Sequence, residues 1–249
     1  MGRGQDLEKT QREEELNGTL YGLGVGPGDP ELITVKALGI LGRVPVIAYP
    51  ATVSGDSMAR RIADPHISGG QTELPIAIDI GIGHAENSDA YDRGAEAIAE
   101  HLGAGRDVAV LCEGDPFFYG SFMYVFARLA ETWPVVVVPG ISSLNACAAA
   151  LKAPLAGGGD VLSIVPATLD EDRLEAAIMA ADAVAIIKIG RHYAKLAKVL
   201  DRLDLTNQAR YIERVGMEGE KSLPFEHISA DEVPYFSLVL VHGRGQAWS

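Results

Sequence analysis

The feature that most constrains the fold of this chain is an alternation. Short apolar runs rich in β-branched residues, Thr19 to Val25, Val44 to Tyr49, Asp107 to Cys112 and Pro134 to Val138, are separated by stretches whose apolar residues recur every three or four positions. Those stretches are Pro30 to Gly42, Ser57 to Ile67, Ser88 to Leu102 and Phe118 to Glu131. Runs of the first kind read as buried strands and stretches of the second as amphipathic helices, and their alternation is the pattern of parallel α/β layers. Thr72 to Ile78 reads as a further strand. The segment "VVVVPGISSLNACAAALKAPLAGGGD" then ends a strand at Pro139-Gly140, runs through an alanine-rich helix and stops in glycines 157–159. Beyond it come strands Val161 to Pro166, Ala183 to Ile189, Ala209 to Arg214 and Phe236 to His242, with helices Asp170 to Ala181 and Arg191 to Leu203.

With 249 residues, 47% of them hydrophobic, the chain can bury one large core or two of roughly 100 to 125 residues each. The expectation is an α/β fold of two α/β domains: a disordered, solvated tail over 1–17, an N-terminal domain over 18–138 and a C-terminal domain over 139–249. A formal net charge of -13 argues against nucleic acid or an anionic membrane as partner, since both demand a dominant basic face. No apolar run approaches the length of a membrane span. Cys112 and Cys147 show neither metal-ligand spacing nor a disulfide framework, which fits a reduced, cytoplasmic compartment.

The turn "YGLGVGPGDPELITVKAL", Tyr21 to Leu38, follows the first strand. A dinucleotide fingerprint needs a glycine at the sixth position; counted from Gly22, Gly24 or Gly26 that position is Pro27, Asp29 or Glu31. The second strand ends "IAYPA" without the acid that holds a ribose, and the turn lacks the Gly-Lys-Ser/Thr of a triphosphate loop. Either the glycines let a ligand approach bare backbone, or the turn is a tight connection without a ligand. "VLCEGDPFFYGS", Val110 to Ser121, repeats the same order of strand, Gly-Asp-Pro and helix, and "VVVVPGISSLNA" places Ser142 and Ser143 between a strand end and a helix. An acid in a Gly-Asp-Pro turn or a serine before a helix can serve simply as a cap.

The motifs "GVGPGDPELIT", "EGDPFFYG" and "VPGISS", in this order and spacing, resemble the tetrapyrrole methylase family, the class III S-adenosylmethionine-dependent methyltransferases, over about residues 19–245. The longer strings "CEGDPFFYGSFMY", "VPATLDEDRL", "KIGRHYAKL" and "PYFSLVLVHGRG" are most similar to members that methylate a bridging carbon of the cobalamin precursor ring. The resemblance implies two α/β domains with a cleft between them, a homodimer, S-adenosylmethionine as cofactor and a tetrapyrrole as substrate. Carried over by motif, it implies that Pro27, Glu113, Gly114, Asp115, Phe118, Ser142, Ser143, Ile189 and Val215 bind the cofactor, and that Asp29 lies near the reacting region. After methyl transfer a proton must leave the ring, and Asp29, Glu113 and Tyr119 are the candidate acceptors. The ring's carboxylates call for cations, for which Arg60, Arg61, Lys188, Arg191, His192, Lys195 and Arg214 are the candidates. The rival within the family takes a cobalt-containing ring; outside it, a nicotinamide-dependent oxidoreductase or a non-catalytic cofactor-binding module remain the alternatives.

Overall fold

The computed structural model describes residues 17–79, 86–229 and 233–243. The expected tail, apart from Asn17, lies outside the described residues, as does the end of the closing string. The chain divides between Ser142 and Ser143 into two compact units, each built on its own five-stranded sheet.

In the first unit the strands are β1 (Leu20–Gly24), β2 (Val46–Ala51), β3 (Thr72–Ala77), β4 (Val108–Cys112) and β5 (Val135–Val138), and every pairing is parallel in the order β3-β2-β4-β1-β5. The helices are α1 (Val35–Leu41), α2 (Met58–Ala63), α3 (Ser88–Gly103) and α4 (Phe122–Leu129). Strand residues alternate between faces, so β4 sends Val108, Val110 and Cys112 toward α3 and α4, and Ala109 and Leu111 toward α1 and α2. Both faces are covered, which is why β4 is apolar at every position.

Two helices begin later than their periodicity suggests. The stretch from Pro30 splits into a 3-10 turn, Pro30–Leu32, and α1, because Asp29 and Thr34 each supply a cap: Asp29 accepts from the Glu31 N–H at 2.8 Å and Thr34 from the Ala37 N–H at 3.2 Å. The helix expected from Phe118 starts at Phe122, since Tyr119 sits at φ 54, a left-handed conformation that no helix carries.

Gly22 and Gly24 make room for the protein itself. A Cβ on Gly22 would lie 2.4 Å from the Phe122 ring, and one on Gly24 would lie 2.5 Å from Gly140. Of the turn's glycines before Pro27, only Gly26, at φ 80, uses the left-handed region. The reading that these alternate glycines bring the backbone to a ligand is therefore corrected for Gly22 and Gly24.

The second unit contains α5 (Ser143–Ala150), β6 (Leu162–Pro166), α6 (Glu171–Met179), β7 (Ala183–Ile187), α7 (Tyr193–Arg202), β8 (Ala209–Glu213), β9 (Lys221–Pro224) and β10 (Ser237–His242). Its order is β6-β7-β10-β8-β9. Only β6 and β7 pair in parallel; β10 runs antiparallel between β7 and β8, and β9 antiparallel to β8. Parallel layering thus describes the first sheet, and the second is mixed. Leu174 and Ile178 of α6 and Leu196, Val199 and Leu200 of α7 pack on Val184, Ile186, Tyr211, Val239 and Val241. Leu196 is fully buried, and truncating such a side chain to alanine costs about 2–5 kcal/mol.

Candidate active site

Topology marks one place in the first unit. After β1 the chain crosses to β2 on one side of β4, and after β4 it crosses to β5 on the far side of β1, so the strand order reverses between these two neighbours. In open α/β sheets the carboxyl ends of strands at such a reversal form the usual ligand crevice. Both Gly-Asp-Pro turns lie there.

The two turns are built alike and bonded to each other. Asp29 accepts from the Glu31 N–H at 2.8 Å and Asp115 from the Phe117 N–H at 2.9 Å, so each aspartate closes its own turn. Gly26 and Gly114 form an antiparallel bridge, with the Gly114 N–H donating to the Gly26 carbonyl at 2.8 Å. Gly114 has φ 63, which a side chain would strain. The second carboxylate oxygen of Asp115 accepts from the Gly140 N–H at 3.0 Å and ties the β4 turn to the Pro139-Gly140 turn after β5. A Cβ on Gly140 would lie 1.9 Å from the Gly114 carbonyl oxygen. Gly140 is the positioning residue that sequence reasoning missed; the Pro-Gly pair was its only signal.

Glu113 sits where β4 ends. Its carboxylate accepts from the Ala59 N–H at 3.2 Å, beside the Ser57 hydroxyl that caps α2 at the Arg60 N–H. Burial pushes its pKa above the usual carboxylate range, and the N–H groups of Glu113 itself and of Ala59 pull the other way. Tyr119 is half-exposed, strained at φ 54, and edge-on to Phe118 with ring centroids 5.2 Å apart. Cys112 is fully buried and burial lifts its thiol to about 12, so it is an inert strand residue.

The structure brings Pro27, Asp29, Glu113, Gly114, Asp115, Phe118, Tyr119 and Ser142 into the first unit, Pro27 being buried. The α-carbon of Ser142 and the Ile141 carbonyl are the atoms nearest to a Cβ built on Gly114, at 3.9 Å. Ser143, Ile189 and Val215 belong to the second unit. There β7 and β8 run in the same direction, so Ile189 and Val215 follow the same edge of the sheet, each directly after a left-handed residue, Lys188 at φ 57 and Arg214 at φ 53. Both side chains are buried.

Residues 19–227 match the profile of the Tetrapyrrole (Corrin/Porphyrin) Methylases. The chain belongs to this family. It is 41% identical over 234 residues to the precorrin-2 C(20)-methyltransferase of a Sinorhizobium species, covering 91% of this chain and 96% of the relative. Its identity to the cobalamin biosynthesis protein CobIJ of Mycobacterium tuberculosis is also 41%, again over 91% of this chain but 46% of the relative, so the chain spans about half the length of that protein. The cobalt-precorrin-2 C(20)-methyltransferase of Salmonella typhimurium is 30% identical, over 91% of this chain and 97% of the relative. Among solved structures, the uroporphyrin-III C-methyltransferase of Thermus thermophilus complexed with S-adenosylhomocysteine superposes with a TM-score of 0.64 at 24% identity, covering 92% of this chain and 98% of that one.

Membership of the tetrapyrrole methylases leaves the oxidoreductase reading without support. The residues also fit the family's sulfonium cofactor: the Gly114 and Ile141 positions offer backbone and no phosphate-gripping lysine, and Gly114 has room beside it that an ordinary side chain would occupy. The candidate cations sort themselves. Arg60 is committed to Glu73 at 2.9 and 3.1 Å and to Asp64 at 2.6 Å, with the Tyr49 hydroxyl completing the Glu73 contacts at 2.6 Å. Arg61 lies 3.7 Å from Asp56. Arg191 and Lys195 make no ion pair of this kind with an acid among the described residues.

Proposed function

We propose that this chain is an S-adenosylmethionine-dependent C-methyltransferase that methylates precorrin-2 at C20, giving precorrin-3A, in cobalamin biosynthesis. The observation that carries the reading is the 41% identity to a precorrin-2 C(20)-methyltransferase along almost the full length of both chains. The lower identity, 30%, to a relative named for the cobalt-containing ring favours the metal-free substrate. In the same reading the enzyme is a cytoplasmic homodimer, and the Thermus neighbour with S-adenosylhomocysteine supports the choice of cofactor.

When bound, S-adenosylmethionine supplies an electrophilic methyl group. The chain's own task is to hold the ring and remove a proton from it. Pro27, Glu113, Gly114, Asp115, Phe118 and Ser142 of the first unit and Ser143, Ile189 and Val215 of the second are the proposed cofactor-binding positions. The latched turns fix Gly114 against Ser142, so these groups need little reorganisation on binding. Glu113 is the proposed proton acceptor, because its raised pKa makes it a stronger base than an exposed carboxylate. Asp29 and Tyr119 are held as residues that place the ring.

The test is a turnover assay with metal-free precorrin-2 and its cobalt-containing counterpart side by side, product methylation being read by mass spectrometry. Faster turnover of the metal-free ring is expected. Preference for the cobalt ring would reverse the substrate assignment, and failure to bind S-adenosylhomocysteine in calorimetry would remove the methyltransferase reading.

A further inference from the structure

Polar side chains are scarce in the interior of this protein, and where they occur they gather at strand ends. Apart from tyrosines, the buried polar side chains among the described residues are Ser57, Glu213 and Ser237. Ser57 caps α2 beside the Glu113 contact described above. The other two stand opposite each other on β8 and β10, where Glu213 pairs with Ser237 in register. Glu213 is the charged member of the set, only 8% exposed, and methyl transfer as set out above gives it no task. A buried carboxylate is costly unless it is paired, and among the described residues Glu213 makes no ion pair.

Its partners are neutral and come from the same sheet. Tyr211, two residues earlier on the same face of β8, is fully buried in the core under α6 and α7 and donates its hydroxyl to the Glu213 carboxylate. Burial first, and then the hydrogen bond to Glu213 and its charge, hold the phenol above its ordinary pKa, so it stays a donor. The Ser237 hydroxyl lies beside that phenol and donates to the Pro234 carbonyl at 2.8 Å. The Arg214 N–H, next along the chain from Glu213, donates to the Phe236 carbonyl at 2.8 Å. Leu238 pairs with Ile187 on one side and Ile212 on the other, so Ser237 stands where β7 and β8 give way to their left-handed residues, Lys188 at φ 57 and Arg214 at φ 53. A residue with a side chain keeps that conformation only where its surroundings over-determine it. At Arg214 the surroundings are this polar cluster.

We propose that Glu213 is a positioning residue of the cofactor site: gripped by Tyr211 and flanked by Ser237, its carboxylate locks the end of β8 to the start of β10 and so holds the Arg214 turn and the Val215 backbone in one conformation. The inference rests on the reading that assigns Val215 to S-adenosylmethionine. Glu213 itself touches neither cofactor nor ring in this scheme and acts through Val215. An apolar residue of similar size would fill the space but offer Tyr211 no acceptor, and a buried hydroxyl without a partner would be free to draw the strand ends apart.

The test is calorimetric titration of S-adenosylhomocysteine into the wild-type protein and into Glu213→Leu, Glu213→Gln, Tyr211→Phe and Ile178→Ala, with uroporphyrin III binding followed by fluorescence on each. Ile178, a buried α6 side chain of the same core, controls for lost stability alone. Glu213→Leu should weaken S-adenosylhomocysteine about tenfold, the weight of one charge-assisted hydrogen bond, and raise the KM for S-adenosylmethionine in step while kcat and ring affinity stay at wild type. Tyr211→Phe should weaken it about threefold. Glu213→Gln, whose amide oxygen still accepts from the phenol, should restore most of the affinity. Wild-type affinity in both Glu213→Leu and Tyr211→Phe would overturn the proposal and leave the methyltransferase reading standing; if Glu213→Leu does not fold, Tyr211→Phe decides alone. An equal loss in Ile178→Ala, or a parallel loss of ring affinity, would also overturn it by showing a general loosening of the unit. A wild-type protein that binds no S-adenosylhomocysteine would remove the methyltransferase reading and this proposal together.

Discussion

The two Gly-Asp-Pro turns of the first unit use one local device for two purposes. Asp29 and Asp115 both accept from the N–H two residues on, at 2.8 and 2.9 Å. The second oxygen of Asp115 also reaches the Gly140 N–H at 3.0 Å, whereas Asp29 has no long-range bond of that kind among the described residues. The first turn is thus a local cap, and the second is the centre of a three-loop assembly that includes the strained Tyr119. Equal motifs do not imply equal mechanical roles; what each acid's second oxygen meets decides the difference.

The comparison can be broken at four points. Gly140→Ala should have the largest effect, about 3 kcal/mol or more of lost stability, because the new methyl would fall 1.9 Å from the Gly114 carbonyl oxygen; a thermal midpoint equal to wild type would show that the loops can part. Asp115→Ala should cost about 2 kcal/mol, by opening the turn and leaving the Gly140 N–H without its partner, against about 1 kcal/mol or less for Asp29→Ala. Equal costs in urea unfolding would erase the distinction between the turns.

At Tyr119 the usual order of substitutions should invert. In a left-handed conformation alanine retains the strain that glycine releases, so Tyr119→Gly should be more stable than Tyr119→Ala by about 1 kcal/mol. The smallest effect concerns Glu113, whose folded pKa is raised by burial. A raised acid favours the fold below its unfolded pKa, and that contribution disappears as pH rises through the folded value. Glu113→Gln should therefore gain stability relative to wild type as pH climbs past the ordinary carboxylate range, and match it in acid. A difference independent of pH in urea midpoints would assign Glu113 a purely steric role.

The layered architecture was legible because β1, β2 and β4 are buried on both faces and read as continuous apolar runs. β9, Lys221–Pro224, was not, since an edge strand with exposed residues carries no burial pattern. Nor was the antiparallel course of β10: "SLVLVH" is buried at nearly every position and reads the same in either direction. In the site, the repeated Gly-Asp-Pro pointed to two related turns. Their direct bridge through Gly26 and Gly114 and the bond from Asp115 to Gly140 join positions far apart in sequence, which no local pattern encodes. The late start of α4 escaped because Phe118, Phe122 and Val125 keep helical spacing across a residue that leaves the helix at φ 54.

The bond between Asp115 and Gly140 also orders events in time. A chain emerging from the ribosome exposes the β1 turn first and the β4 turn much later, and it can fasten them to the β5 turn only once Gly140 has been synthesised. The two ends of the bond stand 25 residues apart, so forming it closes a loop at an entropic cost that grows only slowly with length. Nascent chains stopped before residue 140 lack the partner that holds Asp115, so a competent site becomes a record that synthesis of the whole first sheet has finished.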